Sequence, residues 1–209
     1  MTRMPKDSLE RAAPVVWLTG LSASGKSSIA RSALAELTAR GLDAELLDGD
    51  DLRQTLCRDL GFSAEDRREN NRRIGELAAA HARAGKIVLV AAIAPFRETR
   101  EELRARIGCF VEVFVDAPLA VCESRDPKGL YQRARAGALA GFTGIDSPYE
   151  PPLSPQVHCL TGRETLAESA AKVLAHILSL ESSKSASKSS SKRQIADWGN
   201  HISTSKSGR

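Results

Sequence analysis

The stretch GLSASGKSS, Gly20 to Ser28, decides how the chain reads, because of what stands on either side of it. An apolar run of β type, VVWLT (Val15–Thr19), precedes it, and an alanine-rich pattern of helical spacing follows. Strand, glycine turn and helix in that order form the setting in which G-x-x-x-x-G-K-S holds a phosphate chain. The glycines let backbone N–H groups turn toward one centre, and the following helix adds its positive end to the same anion site. Gly20, Ser22, Ser24, Gly25, Ser27 and Ser28 are then nucleotide-binding positions, and Lys26 lies along the β- and γ-phosphates. The Ser27 hydroxyl falls where it can ligate the Mg²⁺ that a nucleotide carries with it. A plain Gly/Ser turn with a solvated lysine is the alternative, and it leaves the full spacing at a strand-to-helix junction unexplained.

A length of 209 residues suits one catalytic domain. The four cysteines, Cys57, Cys109, Cys122 and Cys159, are scattered without C-x-x-C or disulfide-like spacing, which points to a reducing, cytoplasmic setting. The first apolar run is too short for a signal core or a membrane span, so neither export nor a membrane partner is expected. The formal net charge of +4 comes from the end of the chain, where Ser182 to Arg209 holds six basic residues against one acid. The remainder is nearly neutral, and no nucleic-acid partner is implied.

Further β-type runs, AELLD, IVLVAA and FVEVFVD, alternate with segments of helical pattern such as EDRRENNRRIGELAAAHARAG and FRETREELRARIG. That alternation predicts an α/β fold of three layers, a mostly parallel sheet with helices on both faces. The Gly- and Pro-dense stretch from Gly137 to Pro155 is long for a connection, which marks it as functional or disordered. A last helix over ETLAESAAKVLAHILSL closes the domain. The expected organisation is an N-terminal extension (1–13), a kinase domain (14–181) and a disordered Ser/Lys-rich tail (182–209).

Without the guanine-reading N-K-x-D the chain is not read as a GTPase, and DPKG (Asp126–Gly129) matches D-x-x-G too loosely to count. A small-molecule kinase fits the length best. Such an enzyme aligns an acceptor hydroxyl with the γ-phosphorus, neutralises charge and excludes water. The second β-type run ends in LLDGDDLR, which brings Asp48, Asp50, Asp51 and Arg53 to the carboxyl edge of the sheet, where open α/β sheets bind ligands. One carboxylate suits Mg²⁺ and another the proton of the acceptor. An acidic turn in which Asp50 or Asp51 caps the next helix is the structural alternative.

GLSASGKSS together with LDGDDLR, DLGFSAEDRRENNRRIGE, FVDAPLAVCESRDPKGLYQRARAG and GFTGIDSPYE resembles the adenylylsulfate kinases, from about Val15 to about Leu178. The first motif is generic to P-loop proteins and the others together are specific. The resemblance implies a P-loop kinase fold with a lid loop. The implied reaction is transfer of phosphate from ATP, with Mg²⁺, to the 3′-hydroxyl of adenosine 5′-phosphosulfate, giving 3′-phosphoadenylyl sulfate. It puts Lys26, Asp48 and Asp50 at the reaction and Ser27 and Asp48 at the metal. Asp50, Arg53, Phe62, Arg67, Asn70, Ile93, Lys128 and Phe142 go to the acceptor, and Arg125 to the donor adenine. Phe62 and Phe142 suit an adenine sandwich, and Arg53 and Arg67 offer planar forks to phosphate and sulfate. GFTGIDSPYEPP would be the lid that keeps water from the γ-phosphoryl group.

Many relatives carry a serine where this chain has Ala94. Alanine has no hydroxyl to phosphorylate, so transfer is expected to go directly between the two nucleotides. The resemblance also implies a homodimer and leaves room for an ATP sulfurylase partner. Two other readings stay open at this stage, another P-loop small-molecule kinase and a catalytically silent nucleotide-binding module.

Overall fold

The computed structural model describes residues 12–183. The tail beyond them and most of the N-terminal extension lie outside the described residues. In chain order the elements are β1 (Val15–Thr19), α1 (Lys26–Ala39), β2 (Ala44–Asp48), α2 (Gly49–Gln54), α3 (Ala64–Arg83) and β3 (Ile87–Ala91). There follow α4 (Arg97–Arg106), β4 (Phe110–Asp116), α5 (Leu119–Arg125), α6 (Leu130–Arg135) and β5 (Val157–Leu160). Residues 166–183 are helical. The chain divides into two contact units between Leu174 and Ala175.

The sheet is wholly parallel in the order β2-β3-β1-β4-β5. All five residues of β1 are buried, because the strand lies in the middle of the sheet with a helical layer over each face. Val15 and Trp17 join a core cluster with Ile74, Ala78 and Ala82 of α3 and with Val88 and Val90 of β3. On α1, Ile29, Ala30, Ala33 and Leu37 fall at helical spacing and are buried, and this helix packs on β1, β2 and β3.

The four strands expected from apolar runs are present. The fifth, VHCL, alternates buried and exposed residues over only four positions and directly follows a loop rich in proline, so its sequence signal is slight. Ser63 caps α3 by accepting from the Asp66 N–H at 3.0 Å. The acidic turn after β2 is capped by Asp48, whose Oδ1 accepts from the Asp50 N–H at 3.1 Å; Asp50 and Asp51 lie inside the helix instead. The DPKG turn also has a local explanation. Asp126 accepts from the N–H groups of Leu130 and Gln132 at 2.8 and 3.0 Å and so organises the start of α6.

The chain runs from β1 to β2 on one side of the sheet and from β4 to β5 on the other, so the carboxyl ends of neighbouring β1 and β4 form a topological switch point. Among the described residues no helix is long and apolar enough to cross a membrane.

Candidate active site

The loop after β1 folds back over the end of β4. A Cβ on Gly20 would stand 2.3 Å from the Val115 carbonyl oxygen, so only glycine permits that approach. Gly25 precedes α1 at φ 106°, again a glycine conformation, and no side chain caps the helix. The first N–H groups of α1 have no intrahelical acceptors and face the concavity of the loop, which suits an anion. The Ser24 hydroxyl is buried there without a hydrogen-bond partner among the described residues.

Lys26 is 8 % exposed, and its Nζ donates to the carbonyls of Gly20 and Leu21 at 3.0 and 2.6 Å. Burial is the largest influence on its ammonium and lowers the pKa from 10.5 to about 8, against the attraction of Asp50. An anionic phosphate favours the charged lysine. Nucleotide binding above pH 8 must therefore take up a proton, and kcat/KM for ATP is expected to fall as pH rises through about 8. Ligand-free stability responds in the opposite sense, increasing from about pH 8 toward 10.5 as the unfavourably buried charge is lost. Calorimetry of ATP binding in two buffers of different ionisation heat checks the proton uptake, and equal apparent heats would contradict it.

A single cavity of about 990 Å³, at the upper end of the range for ligand sites, contains nearly all the expected residues. Ser22, Ser24, Gly25, Lys26, Ser27 and Ser28 line one part of it, with Arg125 beside them. Asp48, Asp50, Arg53, Phe62, Arg67, Asn70, Ile93, Lys128 and Phe142 line the rest. Gly20 does not line the cavity; it supports the loop from beneath and offers its carbonyl to Lys26.

The two carboxylates at the end of β2 differ sharply. Asp48 is 5 % exposed and holds both the helix cap and an ion pair with Arg31 at 3.0 Å. Asp50 is 66 % exposed and meets Lys128 Nζ at 2.6 Å, so Asp50 is the carboxylate available to a ligand. Arg31 was not expected from the sequence; nothing in an alanine-rich helix marks an arginine one turn past the loop as the partner of a distant aspartate.

Arg53 donates to the carbonyls of Leu60 and Gly61 and lies 4.7 Å from the Phe62 ring centre. Phe62 is 61 % exposed, so no core requirement explains it. Phe142 is different: it meets Tyr131 edge-on at 4.9 Å and packs against a small cluster of Ala117, Cys122 and Tyr131. Arg67 departs from the expected free fork. It is buried on α3, and its guanidinium donates to the Phe62 carbonyl, the Thr143 hydroxyl and the Gly141 carbonyl. Two of its five N–H groups therefore clasp the loop at residues 141 and 143 and a third holds Phe62, leaving two for any ligand. Asn70 is 7 % exposed, and its Oδ1 is buried in the same wall without a partner among the described residues.

Arg125 reaches across to the carbonyls of Ser24 and Thr161. Thr161, which the sequence did not single out, donates its hydroxyl to the Ser24 carbonyl at 2.8 Å and lines the cavity next to the loop.

Oxygen donors at Ser27, Asp48 and Asp50 share one cavity. Among the described residues no cluster of three or more His, Cys, Asp and Glu is arranged to hold a metal by itself. That set suits Mg²⁺, a hard cation that keeps most of its waters and arrives with phosphates.

A phosphate loop on the central strand, a buried lysine over it, carboxylates at and just after the end of β2 and a loop held by Arg67 in the cavity wall define a P-loop kinase. The adenylylsulphate kinase family model matches residues 12–160. The adenylyl-sulfate kinase of Microcystis aeruginosa is 61 % identical over 158 residues, which are 76 % of this chain and 87 % of that protein. That of Picosynechococcus sp. is 54 % identical over 172 residues, covering 82 % and 97 %. The solved structure of the Mycobacterium tuberculosis APS kinase in complex with AMPPNP and APS is similar at 46 % identity and TM-score 0.76, over 80 % of this chain and 98 % of that one. The chain belongs to the adenylylsulfate kinase family.

Proposed function

We propose that the chain phosphorylates the 3′-hydroxyl of adenosine 5′-phosphosulfate with ATP to give 3′-phosphoadenylyl sulfate, the activated form of sulfate. The observation that carries this reading is the joining, in one cavity, of the phosphate loop with the Asp50, Arg53, Phe62 and Asn70 group, so that two nucleotides can meet between them.

ATP lies with its phosphates on the loop N–H groups and its base toward Arg125 and Thr161. Ser27 would hold Mg²⁺, with Asp48, which keeps its helix cap and its ion pair with Arg31, reached through water, and the ion would supply charge neutralisation to the phosphates. Lys26 leaves the Gly20 and Leu21 carbonyls for the γ-phosphate and stabilises charge during transfer. Asp50 accepts the proton of the attacking hydroxyl, once the acceptor draws Lys128 toward its own anionic groups. Asn70, with its unpartnered Oδ1, fixes a polar group of the acceptor. The lid that begins at Gly141, held there by Arg67 through residues 141 and 143, covers the site and excludes water. Ala94 has no side-chain hydroxyl to take a phosphate, so the phosphoryl group passes directly from donor to acceptor.

Incubating the protein with ATP, Mg²⁺ and adenylyl sulfate tests the reading. The expected result is ADP and 3′-phosphoadenylyl sulfate in equal amounts, with no acid-stable phosphate on the protein. ADP release with a sugar acid or a nucleoside, and none with adenylyl sulfate, would refute it.

The Phe62 and Phe142 variants separate recognition from packing. Phe62→Ala is expected to raise KM for adenylyl sulfate about tenfold or more and to leave Tm and KM for ATP near wild type, from about 1–3 kcal/mol of base–aromatic stacking. Phe142→Ala is expected to raise the same KM and also lower Tm, because it removes the edge contact with Tyr131. Equal losses for both substrates would assign the aromatic pair to lid closure.

A homodimer and a cytoplasmic location belong to this proposal through the family resemblance and the scattered cysteines, as does association with an ATP sulfurylase. A similar solved structure is the hexameric APS kinase from Thiobacillus denitrificans, 33 % identical with TM-score 0.61 over 83 % of this chain and 30 % of that one.

A further inference from the structure

The segment from Ile93 to Arg97 leads from β3 into α4 and lends Ile93, Ala94 and Pro95 to the cavity wall. Its backbone is unusual: Ala94 has φ 42°, in the left-handed region that a residue with a Cβ enters only when its surroundings hold it there. Four of its polar groups are taken by three other parts of the chain. The Ile93 carbonyl accepts from the Thr19 hydroxyl at 2.5 Å, and Thr19 Oγ1 is 3.0 Å from the Tyr149 hydroxyl. Threonine has one proton and has given it to Ile93, so Tyr149 is the donor in the second bond. The Ala94 carbonyl accepts from Arg100 Nη1 at 2.7 Å, the Pro95 carbonyl from the Glu150 N–H at 2.9 Å, and the Arg97 N–H donates to Glu150 Oε2 at 2.7 Å.

Arg100 is the centre of this arrangement. It is 1 % exposed, and its other donors reach the Glu150 carbonyl and the buried Glu112 carboxylate, each at 2.7 Å. A buried ion pair is a poor means of stabilising a fold, since desolvation offsets most of the attraction. What a planar five-donor group does well is hold several acceptors in one fixed relation.

We propose that Thr19, Tyr149 and Arg100 are positioning residues that fix the Ile93–Ala94 wall for the acceptor nucleotide and tie the root of the lid, Tyr149–Glu150, to that wall. The inference rests on the reading of the site as an adenylylsulfate kinase. The phosphate loop contributes none of these bonds, so the brace acts on the acceptor and leaves ATP binding alone. Burial pushes the Tyr149 hydroxyl up to about 12, which keeps it a donor throughout the working range. Side chains at 149 and 100 do not line the cavity, and their influence passes through the carbonyls of residues 93, 94 and 150.

Tyr149→Phe removes one oxygen from a ring that otherwise keeps its stacking on Phe114. It is expected to raise KM for adenylyl sulfate about threefold to tenfold while KM for ATP and ATP hydrolysis without acceptor change less than twofold. Arg100→Lys keeps a charge for Glu112 but cannot span all three acceptors, and is expected to lower kcat/KM for adenylyl sulfate at least tenfold with the same sparing of ATP. If Arg100→Lys fails to fold, Tyr149→Phe decides alone. A lowered Tm with both KM values unchanged, or equal rises in both, would overturn the brace while leaving the enzyme's activity standing. A wild-type protein that turns over no adenylyl sulfate would overturn the functional reading, and this inference with it.

Discussion

Lys26→Ala is expected to lower kcat by about 10²–10³-fold or more, the loss of about 3–4 kcal/mol that follows when a preorganised donor to the developing charge is removed. The folded protein gives this prediction its specificity. Lys26 sits buried with two carbonyl oxygens as its hydrogen-bond partners among the described residues, and burial disfavours its charge, lowering its pKa to about 8. Its removal therefore has little to take from the ligand-free fold, and Tm should stay within a few degrees of wild type or rise. Activity and stability thus separate in one variant. Near-normal turnover would remove Lys26 from the reaction, and a collapse of Tm alongside activity would make it a structural residue.

Asp50→Asn is the second large effect, with kcat expected to fall about 10²–10⁴-fold, the usual range for loss of a general base. The change keeps size and hydrogen bonding and removes only charge. Asp50 is exposed and does not cap α2, so no loss of fold stability should accompany it. KM for ATP should move little, because the carboxylate is paired with Lys128 and acts on the phosphate loop only through its attraction for Lys26. Asp48→Asn is the useful contrast. Asparagine still caps a helix, but the ion pair with Arg31 is lost, so part of its effect should appear in Tm. A normal kcat in Asp50→Asn with a large loss in ATP affinity would place Asp50 at the donor instead.

The sequence by itself determined the class. A lysine and serine after two glycines at fixed spacing on a strand-to-helix junction leave the backbone few alternatives, and apolar runs alternating with helical patterns leave the sheet few as well. Four strands, the long helix from Ala64 and the phosphate loop followed from local pattern, since each is written in neighbouring residues, and the family followed from the resemblance of its motifs. What only the tertiary structure decided is which of several similar groups is free. Asp48 and Asp50 are two residues apart and chemically alike, yet one is committed to a cap and to Arg31 and the other opens to the cavity. Arg53 and Arg67 read as equal forks, but Arg67 is spent on the lid because α3 carries it beneath residues 141–143. Thr19, Tyr149 and Arg100 carry no motif at all; Thr19 reaches Ile93 and Tyr149 reaches Thr19 only because distant segments converge there, and Arg100, six residues from Ala94, ties that local turn to Glu112 and Glu150. Local sequence sets which chemistry a residue can offer. Long-range packing sets which hydrogen bonds that residue has already made, and therefore what it has left for a ligand.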